Sequence, residues 1–159
     1  MATRKQWALV VPLCLLMFSG VGVFSATAKV FSGKVTEVRS AEVIVVDYGP
    51  GQYVVRIVGI SPPRDGAFAA EAKKLVTDSV LGKTVRARFL SEDASGEMVS
   101  QVFVGEPGKD VGLELVRAGL TERQQGSDPD FGYKYDELSR AENEAREAKR
   151  GLWAPVPPK

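Results

Sequence analysis

Residues 54–66, VVRIVGISPPRDG, place one arginine inside an apolar strand and end that strand on two prolines. Val54, Val55, Ile57 and Val58 are β-branched and suit a pleated, half-buried surface. Arg56 stands among them and needs a reason to be there. The segment Ser61-Pro62-Pro63-Arg64-Asp65 forms a stiff polar exit, because proline fixes its own backbone and restricts the residue before it.

Toward the N-terminus, residues 30–60 read as strand almost throughout. Val30, Ser32, Lys34, Thr36 and Val38 interleave with Phe31, Gly33, Val35 and Glu37, the alternation of a long, curved first strand. Val43-Ile44-Val45-Val46 is a buried second strand, and Asp47-Tyr48-Gly49-Pro50-Gly51 is a turn leading into a third strand over 53–58.

Toward the C-terminus, Phe68, Ala72, Leu75, Val76 and Ser79 recur at helical spacing, with Asp65 placed to cap the start and Gly82 to end it. Strands over 85–90 and 98–104 follow. Val111, Leu115, Val116 and Leu120 mark a short second helix, and residues 124–132 form a polar loop. Leu138, Ala141, Ala145, Ala148 and Leu152 line one face of a last helix. Its charges read as a solvated face with i,i+4 pairs such as Glu142–Arg146. Gly151 ends that helix, and Trp153 packs back on the body. The fold class is therefore α+β, mainly β: a five-stranded OB-type barrel with three helices, one between strands three and four and two C-terminal.

Residues 1–28 have the form of an export signal. Arg4 and Lys5 precede an uncharged run from Trp7 to Phe24, and Ala26-Thr27-Ala28 supplies the small residues of a cleavage site. The expected location is outside the cytoplasm, periplasmic or secreted. The alternative is an uncleaved N-terminal anchor, which Pro12, Gly20 and Gly22 weaken. The domain is expected over 29–153, with a proline-rich tail at 154–159.

The chain has no histidine, and its one cysteine, Cys14, lies in the leader. Residues 29–159 therefore lack disulfides, thiol nucleophiles, imidazole bases and the usual zinc ligands. The net charge of +1 belongs to the whole chain. Losing Arg4 and Lys5 with the leader leaves 19 basic residues against 20 acidic ones. A protein that grips phosphates over a broad surface normally shows a basic excess.

Several segments together resemble one family. Gly33-Lys34-Val35 followed by Val43-Ile44-Val45, the strand Val55-Arg56-Ile57-Val58-Gly59-Ile60 and the helical pair Glu71-Ala72 fit it. So do Leu115-Val116-Arg117-Ala118-Gly119-Leu120 and the closing run from Ala141 through Arg150-Gly151-Leu152-Trp153. They are similar to staphylococcal-nuclease-like (thermonuclease) domains, over nearly all of residues 30–153.

The resemblance implies Ca²⁺-dependent hydrolysis of DNA and RNA phosphodiesters. That chemistry needs carboxylates around a hard cation, a carboxylate to activate water and two arginines on the phosphate. By position, Glu42 stands in the first metal-ligand turn, usually "DGDT", whose remainder is absent. Arg56 matches the first arginine. Where the family reads "GIDAPE", Ser61 replaces the second metal ligand and Arg64 replaces the water-activating glutamate. Where it reads "DxYGR", Asp93-Ala94-Ser95-Gly96-Glu97 puts Glu97 in place of the second arginine.

Arginine stays protonated and cannot serve as a base. One glutamate and one serine are a poor Ca²⁺ site, which takes six or more oxygens. The expectation is a non-catalytic binding module with no resident cofactor, whose partner is weakly bound nucleic acid, a protein or a glycan. The alternative is an active nuclease with a rearranged site built on Arg56, Glu42 and Asp65, and only that reading calls for Ca²⁺. Two further expectations follow. Arg64 and Glu97 pair across the old pocket, or Arg56 simply satisfies Glu42 or Glu97.

Overall fold

The computed structural model describes residues 29–124 and 135–155. The β-branched runs become five long strands. β1 (Val30–Val38), β2 (Val43–Tyr48) and β3 (Gly51–Ile57) form an antiparallel meander. A two-residue β4 (Ile60–Ser61) and the helix α1 (Gly66–Val80) lead to the hairpin of β5 (Thr84–Glu92) and β6 (Met98–Val104). A short β7 (Lys109–Asp110), α2 (Val111–Arg117), a short β8 (Glu122–Arg123) and α3 (Tyr135–Glu147) complete the chain, followed by a 3₁₀ turn at Gly151–Trp153.

The strands lie in the order β3-β2-β1-β5-β6, and β3 pairs with β6 to close the barrel. That last pairing is parallel, Val55 to Met98, Arg56 to Val99 and Ile57 to Ser100. The expected five-stranded barrel with three helices is what the chain adopts. The three two-residue strands were not foreseen, since pairs that short carry no period to read.

Alternation puts Phe31, Val35, Ile44, Val46, Val55, Ile57, Val85, Ala87 and Val102 inside. Gly33 is required where β1 crosses β2, because a Cβ there would stand 2.4 Å from the Asp47 carbonyl oxygen. α1 buries Ala72, Val76 and Val80 against this core. Phe68, expected on that stripe, is instead 36% exposed, one turn beyond the covered surface. Asp65 occupies the cap position of α1 but its side chain makes no capping hydrogen bond. Asp110 does cap α2, accepting from Leu113 N at 3.1 Å.

The last helix departs from its expected form in two respects. It stops at Glu147, so Ala148 lies exposed past its end, and Gly151 and Leu152, expected as its end and as part of its face, belong to the separate 3₁₀ turn. Glu142 is buried rather than solvated, accepts from the Arg123 backbone N–H at 3.2 Å, and pairs with Arg146 at 3.3 Å. It ties α3 to β8, so the i,i+4 pair belongs to a packing contact. Arg146 in turn lies 4.2 Å over the half-buried ring of Trp153. Gly119 and Gly151 meet face to face, with Leu152 N donating to Gly119 O at 2.8 Å.

No helix among the described residues is long and apolar enough to cross a membrane. The leader at 1–28, most of the loop expected at 124–132 and residues 156–159 of the tail lie outside the described residues.

Candidate functional site

Arg56 sits in the closing seam of the barrel, opposite Val43 on β2 and Val99 on β6. Its neighbours Val55 and Ile57 are buried, so alternation turns Arg56 outward from the core. Three carboxylates meet it there, one for each of its nitrogens. Nη1 donates to Glu42 Oε1 at 2.9 Å, Nε donates to Asp93 Oδ2 at 3.2 Å, and Nη2 donates to Glu97 Oε2.

Each carboxylate is delivered by local backbone chemistry. Glu42 follows a turn in which Ser40 Oγ accepts from the N–H groups of Glu42 and Val43. Backbone bonding from Ile57 N to Glu42 O, 2.7 Å, fixes that turn against β3. Asp93 and Glu97 come from the β5–β6 turn. Asp93 Oδ1 accepts from Ser95 N, Ser95 Oγ and Glu97 N at 2.9, 2.6 and 3.0 Å, while Gly96 takes the positive φ the turn requires. One oxygen of Asp93 thus builds the turn and the other holds Arg56.

The electrostatics follow from this geometry. Partial burial pulls the Arg56 pKa down, but the Asp93 hydrogen bond and the charges of Glu42 and Glu97 outweigh it and leave it raised. The Ser95 hydroxyl, the Glu97 and Ser95 N–H groups and Arg56 lower Asp93 to about 2 against the opposing effect of desolvation. A depressed carboxylate contributes stability that is complete above the ordinary aspartate range and is lost as pH falls through about 2. An NMR titration should therefore place the Asp93 carboxyl midpoint near 2, and Ser95→Ala should move it upward. A midpoint near 4, the ordinary aspartate range, would contradict the turn geometry.

A cavity of about 530 Å³ opens beside this cluster, lined among others by Arg39, Glu42, Arg56, Pro63, Arg64 and Lys73. Glu42 is its one carboxylate. Arg64 and Lys73 are exposed and make no ion pair with a described residue, whereas Arg39 pairs loosely with Glu37 at 3.4 Å. Glu97 is turned to Arg56, so the expected Arg64–Glu97 pair does not form. The turn that bonds the Glu97 N–H aims its side chain at β3, while Arg64 follows the two prolines toward α1. The simpler expectation, Arg56 satisfying Glu42 or Glu97, is met by both at once.

Ser61 is exposed on β4, paired opposite Glu122, with its N–H donating to Thr121 Oγ1 at 3.1 Å. Neither Ser61 nor Asp65 lines the cavity. Sequence reasoning missed Asp93 as a partner of Arg56. The Asp-x-Ser-Gly pattern marked a turn, but nothing in it told which way the second carboxylate oxygen points.

A family model described as staphylococcal nuclease homologue matches residues 54–155. The chain belongs to this family. Members similar to it include an "uncharacterized endonuclease" of Escherichia coli O157:H7, 30% identical over 154 residues, covering 93% of both chains. Two fungal proteins, each named "probable endonuclease" LCL3, are 34% identical in Pyrenophora tritici-repentis and 32% identical in Podospora anserina. Those matches take in 63% of this chain but only 41% of each fungal protein.

Ca²⁺, expected only if the domain hydrolyses phosphodiesters, is a hard cation held by several anionic oxygens. Here the cavity sets Glu42 among Arg39, Arg56, Arg64 and Lys73, and Glu42 is already the acceptor of an Arg56 bond. Asp93 and Glu97 also spend an oxygen on Arg56. Among the described residues no group of His, Cys, Asp and Glu side chains is placed to hold a metal ion, and the three carboxylates that converge here do so on the Arg56 guanidinium. These residues do not fit Ca²⁺.

Proposed function

We propose that this staphylococcal nuclease homologue is an exported nucleic-acid-binding domain that has lost phosphodiester hydrolysis. The carrying observation is the Arg56 cluster. Every nitrogen of the guanidinium already donates to a carboxylate of the same chain, so the arginine that would take the phosphate is held internally. Arg64, at the place where a base would stand, adds a second positive charge to the cavity wall and cannot accept a proton. A cavity rich in guanidinium and ammonium groups suits phosphate binding and resists a dication. Export rests on the form of residues 1–28.

Fluorescence anisotropy with labelled DNA and RNA tests this reading. Salt-sensitive binding in EDTA is expected, and Arg64→Glu with Lys73→Glu should weaken it several-fold and flatten its salt dependence. Ca²⁺ should weaken binding only as a competing counterion does and should leave the length of the oligonucleotide unchanged. Binding unaffected by those two substitutions would place the nucleic acid elsewhere on the domain, and no binding at all would send the search to a protein or glycan partner.

A second reading keeps catalysis, and the endonuclease name of the full-length Escherichia coli O157:H7 relative favours it. It requires Glu42 to leave Arg56 for a metal and Asp65 to swing in as base from outside the cavity lining. Asp65→Ala would then abolish cleavage, whereas the main reading expects Asp65→Ala to leave every property of the cavity unchanged.

A further inference from the structure

The barrel opens at the end where β2 turns into β3, and there aromatic side chains replace the β-branched ones. Alternation carries the inward-facing series from Val46 to Tyr48 on β2, from Val55 to Tyr53 on β3 and from Ala87 to Phe89 on β5. Phe31 of β1 lies beneath them. An opening of about 660 Å³ results, lined by these four rings, Met98 and Glu92 among others. Phe31 and Tyr48 have centroids 5.2 Å apart with planes inclined at 52°, and Tyr48 and Tyr53 are 6.2 Å apart at 57°. Rings inclined in this way form adjoining walls rather than a flat stack. Packing accounts for Phe31, which is buried, and for Phe89 and Met98, which lean on the core. It does not account for Tyr48, which stands at the rim and is 41% exposed.

The charged residues of the lining are Lys29 and Glu92. Both are exposed, and neither is ion-paired with a described residue. The Glu92 carboxylate is drawn over its own turn, since a Cβ on Gly96 would lie 3.9 Å from Glu92 Oε1. Gly96 also lines the opening, so this negative charge stands in the wall. Phe89 N donates to the Lys29 carbonyl at 2.8 Å, which fixes the start of β1 at the lip. Asp47 and Arg88 are the next charges along β2 and β5, but alternation turns them to the outer face and neither lines the opening. Asp93 and Glu97 leave the same β5–β6 turn in the other direction, toward Arg56. The two sites share a turn but no side chain.

We infer that this opening is a binding site for a zwitterion of the phosphocholine class, its quaternary ammonium against the Tyr48 and Tyr53 rings and Glu92, its phosphate beside Lys29. A cation is drawn to the negative faces of aromatic rings, most strongly where water is kept away. A quaternary ammonium has no N–H to satisfy, whereas a primary ammonium would have to shed tightly held water. A neutral apolar ligand would cover Glu92 and leave its charge without a partner. Opposite charges at one rim fit a ligand that carries both. The inference stands whether or not the domain binds nucleic acid, whose phosphates Glu92 would repel.

Phosphocholine titrated into the full chain should shift the amide NMR signals of Gly96 and Met98 saturably, with a Kd of about 1 mM. The isostere with a tert-butyl group in place of the trimethylammonium keeps the shape without the positive charge and should bind about tenfold more weakly. Tyr48→Leu keeps apolar packing on Phe31 and should lose phosphocholine affinity by the same factor, while Tyr48→Phe should bind as wild type does. Together these variants separate loss of the ring from loss of the fold. Glu92→Gln should weaken phosphocholine and choline alike, and Lys29→Ala should weaken phosphocholine only. Equal affinity for the isostere, unchanged affinity in Tyr48→Leu, or no saturable shift would overturn the inference. Phosphatidylcholine vesicles identify the source of the ligand. Association that free phosphocholine competes away assigns a lipid headgroup, and phosphocholine binding without such association assigns a soluble one.

Discussion

Arg56→Ala is expected to destabilise the domain by about 2 kcal/mol, which for a chain of this size lowers the melting temperature by about 8 °C. The loss comes less from the bonds removed than from what remains. Glu42, Asp93 and Glu97 converge on one point, and without the guanidinium they face one another. Removing one partner of a fully buried pair costs about 3–5 kcal/mol, and of an exposed pair about 1 or less. Arg56 is 34% exposed at its side chain and its partners 20–33%, so an intermediate value applies.

Arg56→Lys should recover only part of the loss, because an ammonium has no planar fork to serve three carboxylates at once. Adding Glu97→Gln to Arg56→Ala should restore stability by removing one unopposed charge. A melting temperature for Arg56→Ala within about 2 °C of wild type would mean that the cluster contributes little.

Gly119→Ala has the larger expected effect, about 3 kcal/mol, combining left-handed backbone strain with a clash that cannot relax. Gly119 has φ +72°, and a Cβ there would stand 2.3 Å from the Arg150 carbonyl oxygen. The obstacle is backbone on both sides, since a Cβ on Gly151 would meet the Gly119 oxygen at 2.3 Å. Relief would break the 2.8 Å bond from Leu152 N to Gly119 O, which fastens the end of α3 to the end of α2. Gly82→Ala provides the control. It shares a positive φ of +73° but has open space around it, so only the conformational cost of about 1 kcal/mol should appear. Equal losses at Gly82 and Gly119 in urea melts would show that the contact is not what demands glycine.

These two sites also mark how much the sequence conveys. The segments Leu115–Leu120 and Arg150–Trp153 were legible as family signatures, and the structure supplies the reason, one glycine of each packed on the other. The barrel was legible because period-two alternation and turn residues are local signals. Arg56 stood out because a cation among β-branched residues violates the pattern. Its partners were only partly legible. Glu42 and Glu97 were found through the positions they occupy, and Asp93 was missed because a turn aspartate has an ordinary local role. The parallel β3–β6 seam that brings these residues together is a long-range pairing that no local pattern encodes. Asp65 failed as a cap for a related reason: its type suits the position, but side-chain direction depends on neighbours across the Pro62-Pro63 exit.

The single most direct measurement is the rate at which the purified protein cleaves single- and double-stranded DNA and RNA with Ca²⁺, compared with EDTA. With Arg56 held by Glu42, Asp93 and Glu97 and a guanidinium at position 64, the two conditions should give the same undegraded product. Ca²⁺-dependent cleavage that disappears in Arg56→Ala, with the variant still folded, would contradict the account.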